Sequence, residues 1–162
     1  MVTMVPSNKS LPKITEASLA FLREREGFSA KPYPDAAGYS IGYGHYIGSN
    51  PQRLTSVTRE QAEKWLMDDA TEAGRAIYSG VKVALNQNQF DALLSFVYNI
   101  GGTDFLASTL LRKLNAGDTA GAAIEFSRWV YSSMRLPDGT IKKDINPGLV
   151  TRRNLERALF QS

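Results

Sequence analysis

Apolar positions recur with two different periods along this chain of 162 residues. Near the N-terminus, Ile14, Leu19, Phe21 and Leu22 supply the apolar face of a helix that begins near Thr15, and Gly27 is its stop. Glu26 then falls at the C-terminal end of that helix. From Phe28 to about Ile47 the pattern changes to an alternation of Tyr, Ile, Ser and Gly, with Asp35-Ala-Ala-Gly38 as a turn. This predicts a β-hairpin or a three-stranded sheet. Residues 49–52 read as a loop. Thr58-Arg-Glu-Gln61 fits a capping box in which each side chain satisfies the other's backbone donor, so a long helix is predicted over 59–79. Asn86 to Gly101 carries the strongest helical pattern, with Phe90, Leu93, Leu94 and Val97 on one face and Gly101 at the end. Phe90, Leu93 and Val97 read as core rather than as a ligand-binding set. Shorter helices are predicted over 108–115, 119–131 and 148–160. Between the last two lies a long loop with a small hairpin at Pro137-Asp138-Gly139.

These elements predict an α+β, mainly helical fold. A small N-terminal β-sheet lobe, about 28–57, is joined by the helix at about 59–79 to a helical lobe at about 80–162. A cleft is expected between the lobes. Residues 1–13 read as a polar, flexible extension, and residues 14–162 as a single domain.

Composition narrows the function. The apolar fraction of 43% and the length fit one domain with a substantial core. The chain has no cysteine and one histidine, which excludes disulfides, thiolate nucleophiles and cysteine zinc sites. No metal and no cofactor are expected. The N-terminus lacks the apolar segment of a signal peptide, and no run approaches the ~18 apolar residues of a membrane span. The net charge of +3 is uneven: residues 110–162 hold nine Lys/Arg against five Asp/Glu, and residues 61–109 hold three against six. An ordinary solvated surface accounts for that imbalance. No recognition motif supports nucleic acid as a partner.

The candidate chemistry is concentrated in Glu26 to His45, EGFSAKPYPDAAGYSIGYGH. Two carboxylates on different elements flanking a cleft point to glycoside hydrolysis, in which one acid protonates the leaving oxygen and the other stays ionised. The helix dipole disfavours an anion at a helix C-terminus, so Glu26 is placed where its charged form is unwelcome. That suits a general acid. Gly42 and Gly44 flank Tyr43 in a predicted strand, where either a sugar chain or a packed neighbour would call for glycine.

The same segment resembles the active-site segment of the phage-type lysozymes, the endolysin family known as glycoside hydrolase family 24. That family's pattern is Glu, eight residues, Asp or Cys, five residues, Thr. Glu26 and Asp35 match its first two positions. The turn before IGYGH is one residue shorter than usual, which puts Ser40 in the threonine's place. Further along, QAEKWLMDDATEAGRAI, LNQNQFDALLSFVYNIG, STLLRKLNAGDTAGAAIEFSRWV and PGLVTRRNLERALF are similar to the family's inter-lobe helix, helical-lobe segments and C-terminal helix. The resemblance covers about residues 14–160 in one order. SSMRLPDGTIKKDIN is longer than usual.

The resemblance implies a lysozyme-like fold and inverting hydrolysis of the β-1,4 bond between N-acetylmuramic acid and N-acetylglucosamine in peptidoglycan. Glu26 would be the general acid. Asp35 would orient the attacking water and steady positive charge on the sugar, with Ser40 beside it. Gly42, Tyr43, Trp129 and Arg152 would contact substrate, and Arg152 with Arg153 would suit peptide carboxylates. His45 would form a structural ion pair with Asp69, with Asp68 as the neighbouring acid. The resemblance also implies a monomer that accumulates in the host cytoplasm. A holin-like membrane partner would then let it reach the wall, unless it is carried in the phage particle. Two alternatives stay open: a lytic transglycosylase leaving anhydro products, and a non-hydrolytic wall-binding or virion structural protein.

Overall fold

The computed structural model describes residues 11–35 and 38–162. Residues 1–10 of the predicted extension and Ala36-Ala37 of the predicted turn lie outside the described residues. Residues 11–13, assigned to the extension, are docked. Leu11 packs against the core, Tyr78 donates to the Pro12 carbonyl at 2.7 Å, and Gln87 donates to the Lys13 carbonyl at 3.0 Å.

Helix α1, Glu16–Glu26, begins at a reciprocal capping box between Thr15 and Ser18 and ends at Gly27. It turns Leu19 and Leu22 inward. Strands β1 (Ser29–Asp35), β2 (Gly38–Gly42) and β3 (His45–Gly48) form one antiparallel sheet in that order. Tyr43 and Gly44 make the turn between β2 and β3, where the sequence predicted continuous strand. Both flanking glycines have positive φ, 67° at Gly42 and 73° at Gly44. A residue with a Cβ rarely adopts that backbone, which is why GYG breaks the ladder.

Helix α2, Arg59–Gly80, leads from the sheet into the helical lobe. Its 22 residues at ~1.5 Å each give roughly 33 Å, enough to reach both lobes. Thr58 caps it by accepting from the Gln61 N–H at 3.1 Å. The reciprocal box expected there is formed instead at the next helix, where Asn86 and Gln89 each accept from the other's N–H. The buried face of α2 is built on small residues, Ala62, Ala70, Ala73 and Ala76, with Leu66 and Ile77, so its neighbours approach closely.

Helix α3, Gln87–Ile100, is the centre of the helical lobe. Phe90, Leu93, Leu94 and Val97 are all buried, in agreement with the core reading. Five aromatic rings converge beside it: Phe96 meets Phe105, Phe126 and Trp129 near edge-on, and Phe126 meets Phe160 likewise. Each such ring stabilises the lobe by ~2–3 kcal/mol through burial, with the tilted contacts adding to it.

Around α3 pack α4 (Gly102–Leu106), α5 (Thr109–Asn115), α6 (Thr119–Glu125) and α7 (Pro147–Phe160). Helix α4 has only five residues, too short for a periodic signal. The helix predicted over 119–131 stops at Glu125, and a 3-10 turn covers Phe126–Arg128. Trp129 leaves the helical region with ψ 53°, and its carbonyl accepts from Arg153 Nε at 2.9 Å. The predicted long loop is a regular antiparallel hairpin, β4 (Tyr131–Arg135) with β5 (Ile141–Ile145), turning at Gly139.

Candidate active site

Glu26 is the last residue of α1, and only 13% of its side chain is exposed. Its Oε1 lies 2.6 Å from Arg152 Nη1 on α7. The guanidinium of Arg152 is fixed from behind. Its Nε reaches Glu156 Oε2 at 3.2 Å, and its Nη2 donates to the Ser95 carbonyl at 2.9 Å. Ser95 Oγ donates to the same Glu156 oxygen at 2.6 Å. Arg153 donates to the other Glu156 oxygen and to Asn99, and its guanidinium lies 5.0 Å from the Phe96 ring. Two carboxylates and two guanidinium groups therefore share one buried cluster. Buried charge is tolerable only when paired and hydrogen-bonded in this way.

The second oxygen of Glu26 faces the β2–β3 turn. A Cβ built on Gly44 would lie 2.5 Å from Glu26 Oε2, so any side chain there would displace the carboxylate. Tyr98 fixes the same turn by donating to the Tyr43 carbonyl at 2.6 Å. Burial pushes the Glu26 carboxyl above the ordinary glutamate range. Arg152 opposes the shift, while the negative charges of Asp35 and Glu156 add to it.

Asp35 stands in contrast. It ends β1, is exposed, and pairs across the hairpin with Gly38. Its Oδ2 accepts from Ser40 Oγ at 2.6 Å. Ser40 is fully buried on β2, so its hydroxyl is directed at Asp35 rather than presented to solvent. Tyr33, between the two acids, has its phenol pushed up to about 12 by burial and then by the charges of Glu26 and Asp35.

Two hollows border the end of α3. The smaller, about 650 Å³, is lined by Gly44, Tyr46, Tyr98 and Thr103. The larger, about 1080 Å³, is lined by Asp35, Asn99, Trp129 and the β4–β5 hairpin. The smaller lies between β3, α2 and the end of α3, and the larger between the end of β1, α3 and the β4–β5 hairpin. Asp35 lines the larger hollow, and Glu26 lies behind Gly44, which lines the smaller.

The other candidate residues are placed as follows. Trp129 is half-buried on the cleft wall. Gly42 is packed on α2, where a Cβ would meet Ala62 Cβ at 3.1 Å. Tyr43 is buried, with its ring 5.4 Å from that of Phe28. Packing therefore accounts for both. Arg152 and Arg153, expected to face substrate, are buried and paired inside the lobe, because the inward face of α7 carries charge to meet Glu26. His45 Nδ1 lies 2.8 Å from Asp69 Oδ2. Its ring stacks on Trp65 with centroids 4.4 Å apart. Asp68 points outward, exposed. Among the described residues, no group of three or more His, Cys, Asp or Glu is arranged to hold a metal ion. Sequence reasoning missed Tyr33, Tyr98 and the holding role of Arg152. The signal for Arg152 was present: Arg152, Arg153 and Glu156 recur at i, i+3 and i, i+4 spacing on the helix face that also carries Phe160.

The family described as phage lysozyme matches residues 23–156. The endolysin of Acyrthosiphon pisum secondary endosymbiont phage 1 is 41% identical over 150 residues, covering 92% of this chain and 98% of that protein. The endolysin of Bacillus phage PZA is 41% identical over 153 residues, covering 93% of this chain but 55% of that longer protein, so the chain spans about half its length. The solved muramidase domain of SpmX from Asticaccaulis excentricus superposes with a TM-score of 0.79 at 32% identity, covering 93% of this chain and 98% of that one. With a buried acid and an exposed one between a small sheet and a helical lobe, and with relatives alike over nearly the whole chain, this protein belongs to the phage lysozyme family and is a glycoside hydrolase of the endolysin type.

Proposed function

We propose that the protein hydrolyses the β-1,4 bond between N-acetylmuramic acid and N-acetylglucosamine in bacterial peptidoglycan, with Glu26 as general acid and Asp35 as the carboxylate that directs water. The observation that carries this reading is the unequal setting of the two acids. Burial favours the protonated form of Glu26, while Asp35 is exposed and receives a hydrogen bond from Ser40.

In the reaction, Glu26 gives its proton to the glycosidic oxygen as the bond from that oxygen to C1 breaks, and the bonding pair stays with the leaving oxygen. Positive charge develops on the ring and faces Asp35. A water held by Asp35 adds to C1 from the opposite side and gives up its proton there. This inverting course, the one assigned to glycoside hydrolase family 24, needs carboxyl groups roughly 6.5–9.5 Å apart, with room for one water. Ser40 is a positioning residue. Its proton occupies Asp35 Oδ2 and leaves Oδ1 for the water.

One observation favours a second reading. Ser40 is fully buried, so its hydroxyl does not itself hold a water in the cleft. A lytic transglycosylase uses the sugar's own 6-hydroxyl in place of water and needs chiefly the acid. Digestion of purified peptidoglycan with mass analysis of the products separates the two. Hydrated fragments from the wild type, and none from Glu26→Gln, are expected. Products lighter by one water would install the transglycosylase. Binding to the wall without release of fragments would install the non-hydrolytic reading.

A further part of the proposal concerns release and rests on the resemblance to the endolysins alone. The protein acts as a monomer on the wall after a holin-like partner has opened the host membrane. Expression inside bacteria with and without such a partner tests this, with lysis expected only in the first case.

A further inference from the structure

Glu26 is the last residue of α1, and helix ends fray. Arg152 grips its side chain, but the backbone that carries it needs an anchor of its own. The first turns of α2 supply one. Three positions before Glu26, Arg23 reaches across to Glu63. Its Nε donates to Oε1 at 2.7 Å and its Nη2 to Oε2 at 2.8 Å. This two-bond fork fixes direction as well as distance, which a single ion pair does not. The Arg23 carbonyl in turn accepts from the Gly27 N–H at 2.9 Å, closing the last turn of α1 around Glu26. Two positions after Glu26, the Phe28 ring lies 4.2 Å from the Arg59 guanidinium. Arg59 and Glu63 are one turn apart on α2, so one helix face holds the chain on both sides of the acid.

The same carboxylate also acts on the turn that faces Glu26. Arg23 holds the Glu63 carboxyl below the ordinary glutamate range, and the Tyr43 hydroxyl and the Arg59 charge work in the same sense. Tyr43 is buried, with its ring 5.4 Å from that of Phe28. The next residue is Gly44, on which a Cβ would lie 2.5 Å from Glu26 Oε2. Glu63 is therefore tied to both borders of the acid's seat. One is the helix end that delivers Glu26, and the other is the β2–β3 turn against which its carboxylate rests.

We propose that Glu63 is a positioning residue for the general acid: through its fork with Arg23 and its contact with Tyr43, it sets the last turn of α1 against the β2–β3 turn and so places Glu26 at the glycosidic oxygen. This rests on the reading of Glu26 as the proton donor. Glu63 lines neither hollow, so it acts through Arg23 and Tyr43 and not on the sugar. Arg152 and Glu63 then divide the work. The first holds the charge of the Glu26 side chain from the helical lobe, and the second holds the chain that presents it.

The test pairs Glu63→Gln with Arg23→Lys, which keeps the charge and loses the fork. Each is expected to lower kcat on soluble peptidoglycan strands by about tenfold with KM unchanged, since a misplacement of ~1 Å can cost about a hundredfold. The double variant is expected to lose no more than either single one, because the two residues act as a unit. The alkaline limb of the rate profile is expected to move downward in all three. Burial is what raises the Glu26 carboxyl, and a looser helix end admits water. The other groups that face Glu26 are the same in every variant: Arg152 and Glu156 from α7, Asp35 and Tyr33 from β1, and Tyr98 from α3. Glu16→Gln is the control. It removes the second carboxylate on Arg23, at the exposed first turn of α1, and leaves both kcat and the limb where they were. An undiminished kcat, a loss confined to KM, an unmoved limb or an equal effect of Glu16→Gln would overturn the proposal. Arg23→Lys carries the test alone if Glu63→Gln does not fold. Failure of the underlying reading looks different, as Glu26→Gln would stay active. Carbon-detected titration of the Glu26 carboxyl then reads the fork without activity, and a midpoint unchanged in Arg23→Lys overturns the proposal there.

Discussion

Glu26 and Asp35 stand nine positions apart in the chain and in opposite surroundings. Glu26 is gripped from the helical lobe by Arg152, behind which lie Glu156, Arg153 and Ser95. Asp35 is exposed at the end of β1 and accepts, among the described residues, from the Ser40 hydroxyl. The difference teaches how a fold makes two like groups do unlike work. Burial raises the proton affinity of one carboxyl, while the other stands exposed, in reach of water. The helical lobe invests its charge pairs in the acid, and the sheet only has to bring the second group alongside.

The sharpest break of that comparison is Glu26→Gln. The side chain keeps its shape and loses its proton, so kcat is expected to fall by about 10²–10⁴-fold, the usual range for general acid catalysis, with the protein still folded by circular dichroism. A residual rate within tenfold of wild type would mean that another group supplies the proton. Next comes the support behind Glu26. Glu156→Ala leaves Arg152 and Arg153 buried without their shared carboxylate, and denaturant titration should read a stability loss of ~3–5 kcal/mol.

On the sheet side the effects are smaller. Ser40→Ala removes one hydrogen bond to a carboxylate, so kcat is expected to fall by about tenfold with little change in KM. An unchanged kcat would show that Asp35 needs no orienting partner. Arg152→Met sharpens the comparison through pH. The guanidinium favours the ionised form of Glu26 and opposes the effect of burial. Its removal leaves burial unopposed, Glu26 keeps its proton to higher pH, and the alkaline limb of the rate profile moves upward. A downward move would mean that the limb belongs to another group. The smallest effect is expected at the partly exposed His45–Asp69 pair. Asp69→Asn should change stability by less than ~1 kcal/mol in thermal denaturation.

The sequence carried the regular part of this architecture because its signals are local. Thr15, Thr58 and Asn86 mark three helix starts through their own side chains, and Gly27 and Gly101 mark two ends. Alternation from Phe28 onward was enough to place the sheet. What stayed hidden depends on contacts far along the chain. Arg152 reads as a cation that contacts substrate until α7 is packed on α3, where it meets Glu26 from 126 positions away. Tyr43 reads as a strand aromatic beside the acids, but the positive φ of its two glycines turns it into the core. The regularity of β4–β5 was blurred because both strands are exposed throughout and lack the apolar alternation that marks a half-buried strand. The two acids were legible as a pair, while their inequality was not, since burial is a property of the assembled lobe.

The most direct test of the account is the titration of the Glu26 carboxyl itself, followed by carbon-detected magnetic resonance in the wild type and in Asp35→Asn. The account predicts a wild-type midpoint above the ordinary glutamate range, and a lower midpoint once the neighbouring negative charge is gone. A midpoint at or below the ordinary range, indifferent to Asp35, would contradict the assignment of Glu26 as the proton donor.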